Sequence, residues 1–470
     1  MAAVPYQQDE TGVEPLPVVE SRALRATRAR SALVTVGGLV TLALIAITLS
    51  RYGLSTLAVT HAAVREWLHG AELYSYREPF TQAGAALPPA LAIFLAPLAL
   101  LPLKAAGWIL ALAGLAALLL SAAALTAPIA RRYGRRRAPL ALVATALALL
   151  TEPVRASLGE GRPELLLFGL IVADLVALRR SLRQEVTPRR PALTRHPDPA
   201  TPVRWPLWRP DSPVVPLRDR LRQGWLDGSW AGLGIGLASG FAVTPLFFLA
   251  GLFVLRRCRA ALTALTTCVT VTLAGLLFAP RETMTWFGST LWELNRIESL
   301  NASGNQALAG VLARLYGIPV PPVLVWLSLG VLLLAVGLIR ARSASLAGDE
   351  VTAFVLIGLA AAAFGPMTTP AELIWLVPAL LVLADSTMRR RAPTRSPLHS
   401  RFVDTFLAVS AICGYALLLA APTTLLPWNG YAFALIVLII ALPWRPAPPP
   451  TPPPAHRRPA AIPVPRASRP

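Results

Sequence analysis

Glu152, Arg155, Glu160, Arg162 and Glu164 fall in one short stretch, TEPVRASLGEGRPELLL, between two apolar runs. Carboxylates alternating with guanidiniums at a membrane face can grip a phosphate through the arginines and take a proton with a carboxylate. A self-neutralising turn would have the same composition. Three other stretches carry comparable chemistry. LSTLAVTHAAVREWLHGAELYSYREPF holds His61, Arg65, Glu66, Glu72, Tyr74, Arg77 and Glu78. Its residues 55–69 have the amphipathic pattern of a helix lying in the membrane interface, which makes His61 an interfacial residue rather than a base. APRETMTWFGSTLWELNRIESLNASGNQALAG combines Trp286 and Trp292 with Glu293, Asn295, Glu298, Asn305 and Gln306. Aromatic faces beside amides and carboxylates suit a carbohydrate, although an interfacial tryptophan belt explains the rings equally well. In FGPMTTPAELIW, Glu372 stands near the outer end of an apolar run, where a carboxylate is costly and therefore a functional candidate.

The elements that must position these groups are apolar. The 470 residues are 55% hydrophobic and 14% charged, a balance that excludes an ordinary soluble enzyme. The formal charge of +20 is carried almost wholly by arginine. It lies between apolar runs, where the positive-inside rule places it, and so does not imply nucleic acid. Cys258, Cys268 and Cys413 are too scattered for a disulfide framework or a zinc site, and no metal ligand set is visible.

Apolar runs bounded by charge predict an all-α, polytopic membrane bundle of about 11 to 13 spans, several short or broken. Arginine placement puts 51–82, 152–162, 280–321, 366–372 and 422–429 outside. For Arg222 and Arg256 to share the inner side, the run 230–255 must be two half-helices meeting near Thr244-Pro245, where proline removes a helix donor. Between 83 and 127 one apolar run must be re-entrant, because two crossings would put Arg131 to Arg137 outside. The expected organisation is a disordered cytoplasmic tail over 1–30, a first membrane part over 31–183 with outer loop 51–82, and a disordered Pro/Arg-rich cytoplasmic linker over 184–217. A second membrane part follows over 218–444 with outer loop 280–321, then a Pro-rich disordered tail over 445–470.

In order and spacing, Gly70, Leu73-Tyr74, Leu87-Pro88-Pro89, Glu152-Pro153-Val154, Gly161, Ala173-Asp174-Leu175, Thr244-Pro245, Arg281-Glu282 and Asn305-Gln306-Ala307-Leu308 resemble glycosyltransferase family 87. The resemblance runs from about residue 50 to 385. It implies a membrane glycosyltransferase type C fold in the bacterial plasma membrane, with an outward-facing cavity where a polyprenyl-phosphate-linked sugar donor, a mannose by kinship, meets a glycolipid or glycan acceptor among membrane lipids. No metal, cofactor or nucleic acid is implied. A carboxylate would deprotonate an acceptor hydroxyl, which attacks the anomeric carbon with inversion.

The family's aspartate position falls on Thr56, Gly-Gln-x-Asn reads Gly161-Arg162-Pro163-Glu164, the family's lysine reads Ala242, and its His-His pair reads Ala371-Glu372. Glu152 is then the first candidate for a relocated base, with Glu372 and Glu164 behind it. Arg155 and Arg162 would hold the donor phosphate, and Tyr74, Glu298, Asn305 and Gln306 would bind the sugar. The rival expectation is a catalytically inactive relative acting as a lipid-binding or scaffolding membrane protein, recognisable by an outer cavity without a carboxylate. A transporter, the third reading, would need inverted repeats and midplane charges.

Overall fold

The computed structural model describes residues 18–186, 223–224, 227–390, 397–420 and 429–445. Most of the expected linker over 184–217 and the Pro-rich tail lie outside the described residues. Helix α1 (Val18–Tyr52) starts within the stretch expected to be a disordered tail. The described chain is all-α, with a single isolated bridge between Arg77 and Gly84 and no strand.

Among the described residues, five helices are long and apolar enough to cross a membrane: the 35–52 part of α1, α4 (Leu103–Arg132), α10 (Cys258–Phe278), α13 (Val323–Leu346) and the segment Pro370–Arg389, which contains most of α15 (Leu376–Arg390). A sixth would be the pair α5 (Arg137–Leu149) and α6 (Glu152–Gly159), bent by 75° at their junction. Shorter apolar helices complete the bundle, and the chain is a multi-pass membrane protein. Leu277, Phe278, Leu324, Leu332 and Leu120 are largely exposed, which a lipid-facing surface tolerates and water would not. Helix α14 (Glu350–Phe364) is instead apolar all round and buried from Glu350 to Ala363, so it forms the centre of the bundle. Beside it Gly358 lets the Trp375 ring approach to where a Cβ would lie 2.3 Å away.

The arginine-rich segments gather at one end. Asp385 on α15 receives Arg132 at 3.3 Å, Arg389 at 3.1 Å and Arg445 at 3.1 Å, and Arg257 meets Glu350 at 2.7 Å. From that end α7 (Glu164–Val186), α14 and α15 all lead to the other, where the candidate residues lie.

Both irregularities required by the arginine positions are present. The 230–255 run is two half-helices, α8 (Leu233–Phe241) and α9 (Leu246–Val254), with Thr244 and Pro245 at the break. Nine residues rise only about 13 Å, so each reaches roughly half-way across a bilayer. A helix that starts inside the membrane exposes its first N–H groups. Asp174 on α7, 5% exposed, supplies the acceptor, with the Ile235 N–H at 2.7 Å. Replacing Asp174 with leucine is expected to cost about 1–3 kcal/mol, because it orphans buried N–H donors. Thermal unfolding in detergent would measure it. Of the two runs in 83–127, α4 is long enough to cross, whereas α3 (Pro89–Ala99) has only 11 residues with Pro97 inside. Just past its end the Leu101 carbonyl lies 2.9 Å from His61 Nε2 on α2 (Ser55–Leu68). Both ends of α3 thus stay near the same loop region, and α4 alone carries the chain to Arg131 and Arg132.

Candidate active site

A cavity of about 1010 Å³ opens at the end away from the arginine clusters. The α8–α9 break forms part of it, through Phe241 to Pro245, and Phe168, Phe248 and Trp375 line its apolar wall. These three rings pack edge and tilt against one another, with Trp375 4.9 Å from Phe168 and 4.8 Å from Phe248. Residues of α2, of the 78–88 segment, of the 160–164 turn, of the 297–299 loop and of 369–372 also line it.

The polar focus is one guanidinium. Arg162, its side chain 7% exposed, sits in the turn between α6 and α7 and is the only lysine or arginine lining the cavity among the described residues. Its Nε lies 2.6 Å from Glu160 Oε2 and 3.2 Å from Thr56 Oγ1, and Thr56 in turn donates to Glu160 at 3.2 Å. Its Nη1 lies 3.5 Å from Glu372 and 3.8 Å from Glu164. Burial alone would lower the Arg162 pKa, but Glu164, Glu160 and Glu372 more than reverse that and raise it, so the guanidinium stays charged. Only Glu160 is closely paired. Glu164 and Glu372 share what remains of one positive charge, and Glu164 Oε2 is a buried atom with no hydrogen-bond partner.

The other candidates divide. Glu152 borders the cavity but is 4% exposed and has both oxygens engaged, by the Tyr52 hydroxyl at 2.7 Å and Arg155 at 3.0 Å. Arg155 also donates to the Leu419 carbonyl at 2.9 Å and does not line the cavity. Glu298 lies at the cavity edge. Tyr74 does not: its hydroxyl donates to the Leu87 carbonyl at 3.0 Å, and its ring stacks on Trp286 at 6.0 Å. Asn305, fully buried, works as a latch between two loops. Its Oδ1 accepts from Ala307 and Thr368 N–H, and its Nδ2 donates to the Leu300 and Pro366 carbonyls. Gln306 points to a separate pocket of about 190 Å³ and donates to the Ser303 carbonyl at 3.0 Å.

Arg296, 4% exposed, fastens the 293–307 loop over the cavity by donating to the Ala85 carbonyl at 2.6 Å and to the Tyr74 carbonyl. It also holds Glu293 at 2.6 Å, and this hydrogen bond keeps the Glu293 carboxyl below the usual carboxylate range. A depressed folded-state pKa stabilises above the unfolded value and is lost as pH falls through the folded one. Glu293→Gln is therefore expected to lower the melting temperature modestly at neutral pH and to leave it unchanged in acid, so that its acid sensitivity lessens; the 42% exposure of the carboxylate keeps the effect small. Melting curves from neutral to acid pH would check this.

Among the polar lining residues, Glu160 and Thr369 carry no site role in the sequence. Glu160 was visible in its motif, but nothing there ranks it above its neighbours. Thr369 has no sequence signal beyond standing three residues before Glu372. Among the described residues no group of histidine, cysteine and carboxylate side chains could hold a metal ion.

The chain is similar to known proteins over this same region. Residues 87–370, more than half the chain and most of the cavity wall, match glycosyltransferase family 87. A polyprenol-phosphate-mannose-dependent alpha-(1-2)-phosphatidylinositol mannoside mannosyltransferase of Mycobacterium tuberculosis is 30% identical over 206 residues, 44% of this chain and 44% of that protein. A protein of the same description from Mycolicibacterium smegmatis is 30% identical over 233 residues, 44% of this chain and 50% of its own length. The chain thus spans about half the length of the curated relatives it matches. No solved structure matches it at a significant level. With the family's match covering the broken α8–α9 run, the Arg162 turn and the Asn305 latch together, the chain belongs to glycosyltransferase family 87.

Proposed function

We propose that this chain is an integral membrane glycosyltransferase that moves a hexose, mannose by kinship with its relatives, from a polyprenyl-phosphate donor to a glycolipid or glycan acceptor of the envelope at the outer face of the plasma membrane. The observation that carries this reading is a wet cavity between apolar half-helices in which several carboxylates converge on one guanidinium. Its volume suits a hexose and the first units of a lipid. Its apolar wall suits a prenyl chain, and its carboxylates suit activation of an alcohol.

Of the carboxylates, Glu372 fits the base best, since Glu160 is paired at 2.6 Å and Glu152 has two partners. Glu372 takes the acceptor hydroxyl's proton, the oxygen attacks the anomeric carbon, and the sugar–phosphate C–O bond breaks. Polyprenyl phosphate leaves with the bonding pair, and the configuration inverts. Arg162, the one cation on the cavity surface among the described residues, faces the departing phosphate. The silent-relative reading called for an outer cavity without carboxylates, and this cavity does not favour it.

The test is direct. Protein reconstituted in proteoliposomes with polyprenyl-phosphate-mannose should add one hexose to an envelope glycolipid, and a deletion strain should lose a species by that mass. An unchanged glycolipid profile together with no transfer in vitro would reject the reading.

A further inference from the structure

The charges around Arg162 do not balance. Glu160, Glu164 and Glu372 all lie within 4 Å of it, and the cavity lining brings no second lysine or arginine among the described residues. An anionic acceptor would add negative charge to a site that already has an excess in a low-dielectric setting. A site that must also accept a phosphate-bearing donor needs a positive group from elsewhere. A metal ion is a poor fit, because no group of ligands in the described residues is placed to hold one.

A second, independent observation points to what fills this place. Thr369 is 5% exposed, lines the cavity, and its Oγ1 has no hydrogen-bond partner. Buried hydroxyls ordinarily find one. Glu164 Oε2 is likewise unpartnered, and Glu372 is only loosely paired with Arg162 at 3.5 Å. Thr369 and Glu372 share one 3-10 turn, Pro370–Trp375 and its preceding cap, with the Glu372 N–H on the Thr369 carbonyl. Two loosely paired carboxylates and an unmet hydroxyl on one cavity wall are all hydrogen-bond acceptors, the chemistry that N–H donors satisfy.

We infer that the acceptor carries a primary ammonium group, which docks against Glu164, Glu372 and Thr369 beside Arg162. This rests on the glycosyltransferase reading and extends it to acceptor chemistry. The ammonium could belong to an amino sugar or to an ethanolamine headgroup. Either supplies three donors and one positive charge. The docked ammonium turns the acceptor's hydroxyl toward Glu372 and offsets part of the charge that the donor phosphate brings in. A phosphatidylinositol mannoside, the lipid in the relatives' descriptions, has a headgroup with no such group.

The full chain in nanodiscs at neutral pH provides the test, with thermal unfolding as the readout. One arm compares methyl glucosaminide with its N-acetyl derivative, which removes the charge while keeping the sugar. The other compares phosphatidylethanolamine with phosphatidylglycerol in the disc. The amine-bearing member of at least one pair should stabilise the protein with about ten-fold higher apparent affinity, and the arm that responds identifies the source. Glu372→Gln and Thr369→Val should both lose the amine-specific shift. Thr369→Val should melt no lower than the parent, since the hydroxyl it removes has no partner to lose. Equal responses within both pairs would overturn the inference. So would transfer of mannose to a phosphoinositide acceptor as readily as to an amine-bearing one, and that result would leave the glycosyltransferase reading standing. An amine-specific shift with no transfer to any acceptor would reject the glycosyltransferase reading and, with it, the assignment of the bound amine as an acceptor.

Discussion

Replacing Arg162 with methionine is expected to destabilise the protein by about 3–5 kcal/mol, the usual cost of leaving buried charge without its partner. The effect belongs at the high end because one guanidinium serves Glu160, Glu164 and Glu372. Methionine preserves the apolar stem and removes only the charge and its donors, so packing loss contributes little. Lysine should recover part of the stability but not all, since a single ammonium cannot reproduce the Nε bonds to both Glu160 and Thr56. Adding Glu160→Gln to the methionine variant should restore part of the stability, since Glu164 and Glu372 stay unpaired, and with Glu160→Gln alone the double-mutant cycle would report the coupling. Unfolding in detergent measures all five proteins, the parent included. A methionine variant within about 1 kcal/mol of the parent would mean that the carboxylates are as well solvated as an exposed pair.

The second large effect is on rate. Glu372→Gln keeps shape and hydrogen-bonding capacity but cannot accept a proton, and transfer from a polyprenyl-phosphate-mannose donor should fall by about 10²–10⁴-fold with the melting temperature nearly unchanged. Glu152→Gln supplies the contrast. Its carboxylate joins Tyr52 at the end of α1 to Arg155 on α6, so this variant should lose stability, with a smaller effect on rate in whatever folds. The opposite split, a cold-stable Glu152→Gln with no turnover and a fully active Glu372→Gln, would move the base to Glu152.

That contrast also measures how far the amino-acid sequence could be read. Glu152 ranked first among the candidate bases because it opens the carboxylate–arginine stretch, and sequence order holds no information on the Tyr52 hydroxyl one hundred residues earlier. Asn305 and Gln306 looked like sugar ligands because amides suit hydroxyls. An amide suits backbone groups equally well, and Asn305 spends all its capacity on four of them. By contrast the two half-helices were legible, since the side on which Arg256 must lie and the donor missing at Pro245 are local facts. The re-entrant segment was legible as a necessity, but its identity was not. Both runs in 83–127 are apolar, and the choice of α3 depends on its length and on where its end meets α2.

Sequence alone therefore determined the membrane class, the charged end and the broken run, because transfer of apolar stretches out of water and the placement of arginines act on each segment separately. Only the tertiary structure decided which acidic residues share Arg162, with Thr56, the 160–164 turn and Glu372 drawn together across more than three hundred residues. Such meetings are set by how helices pack, through many small contacts that leave no periodic trace in any one of them.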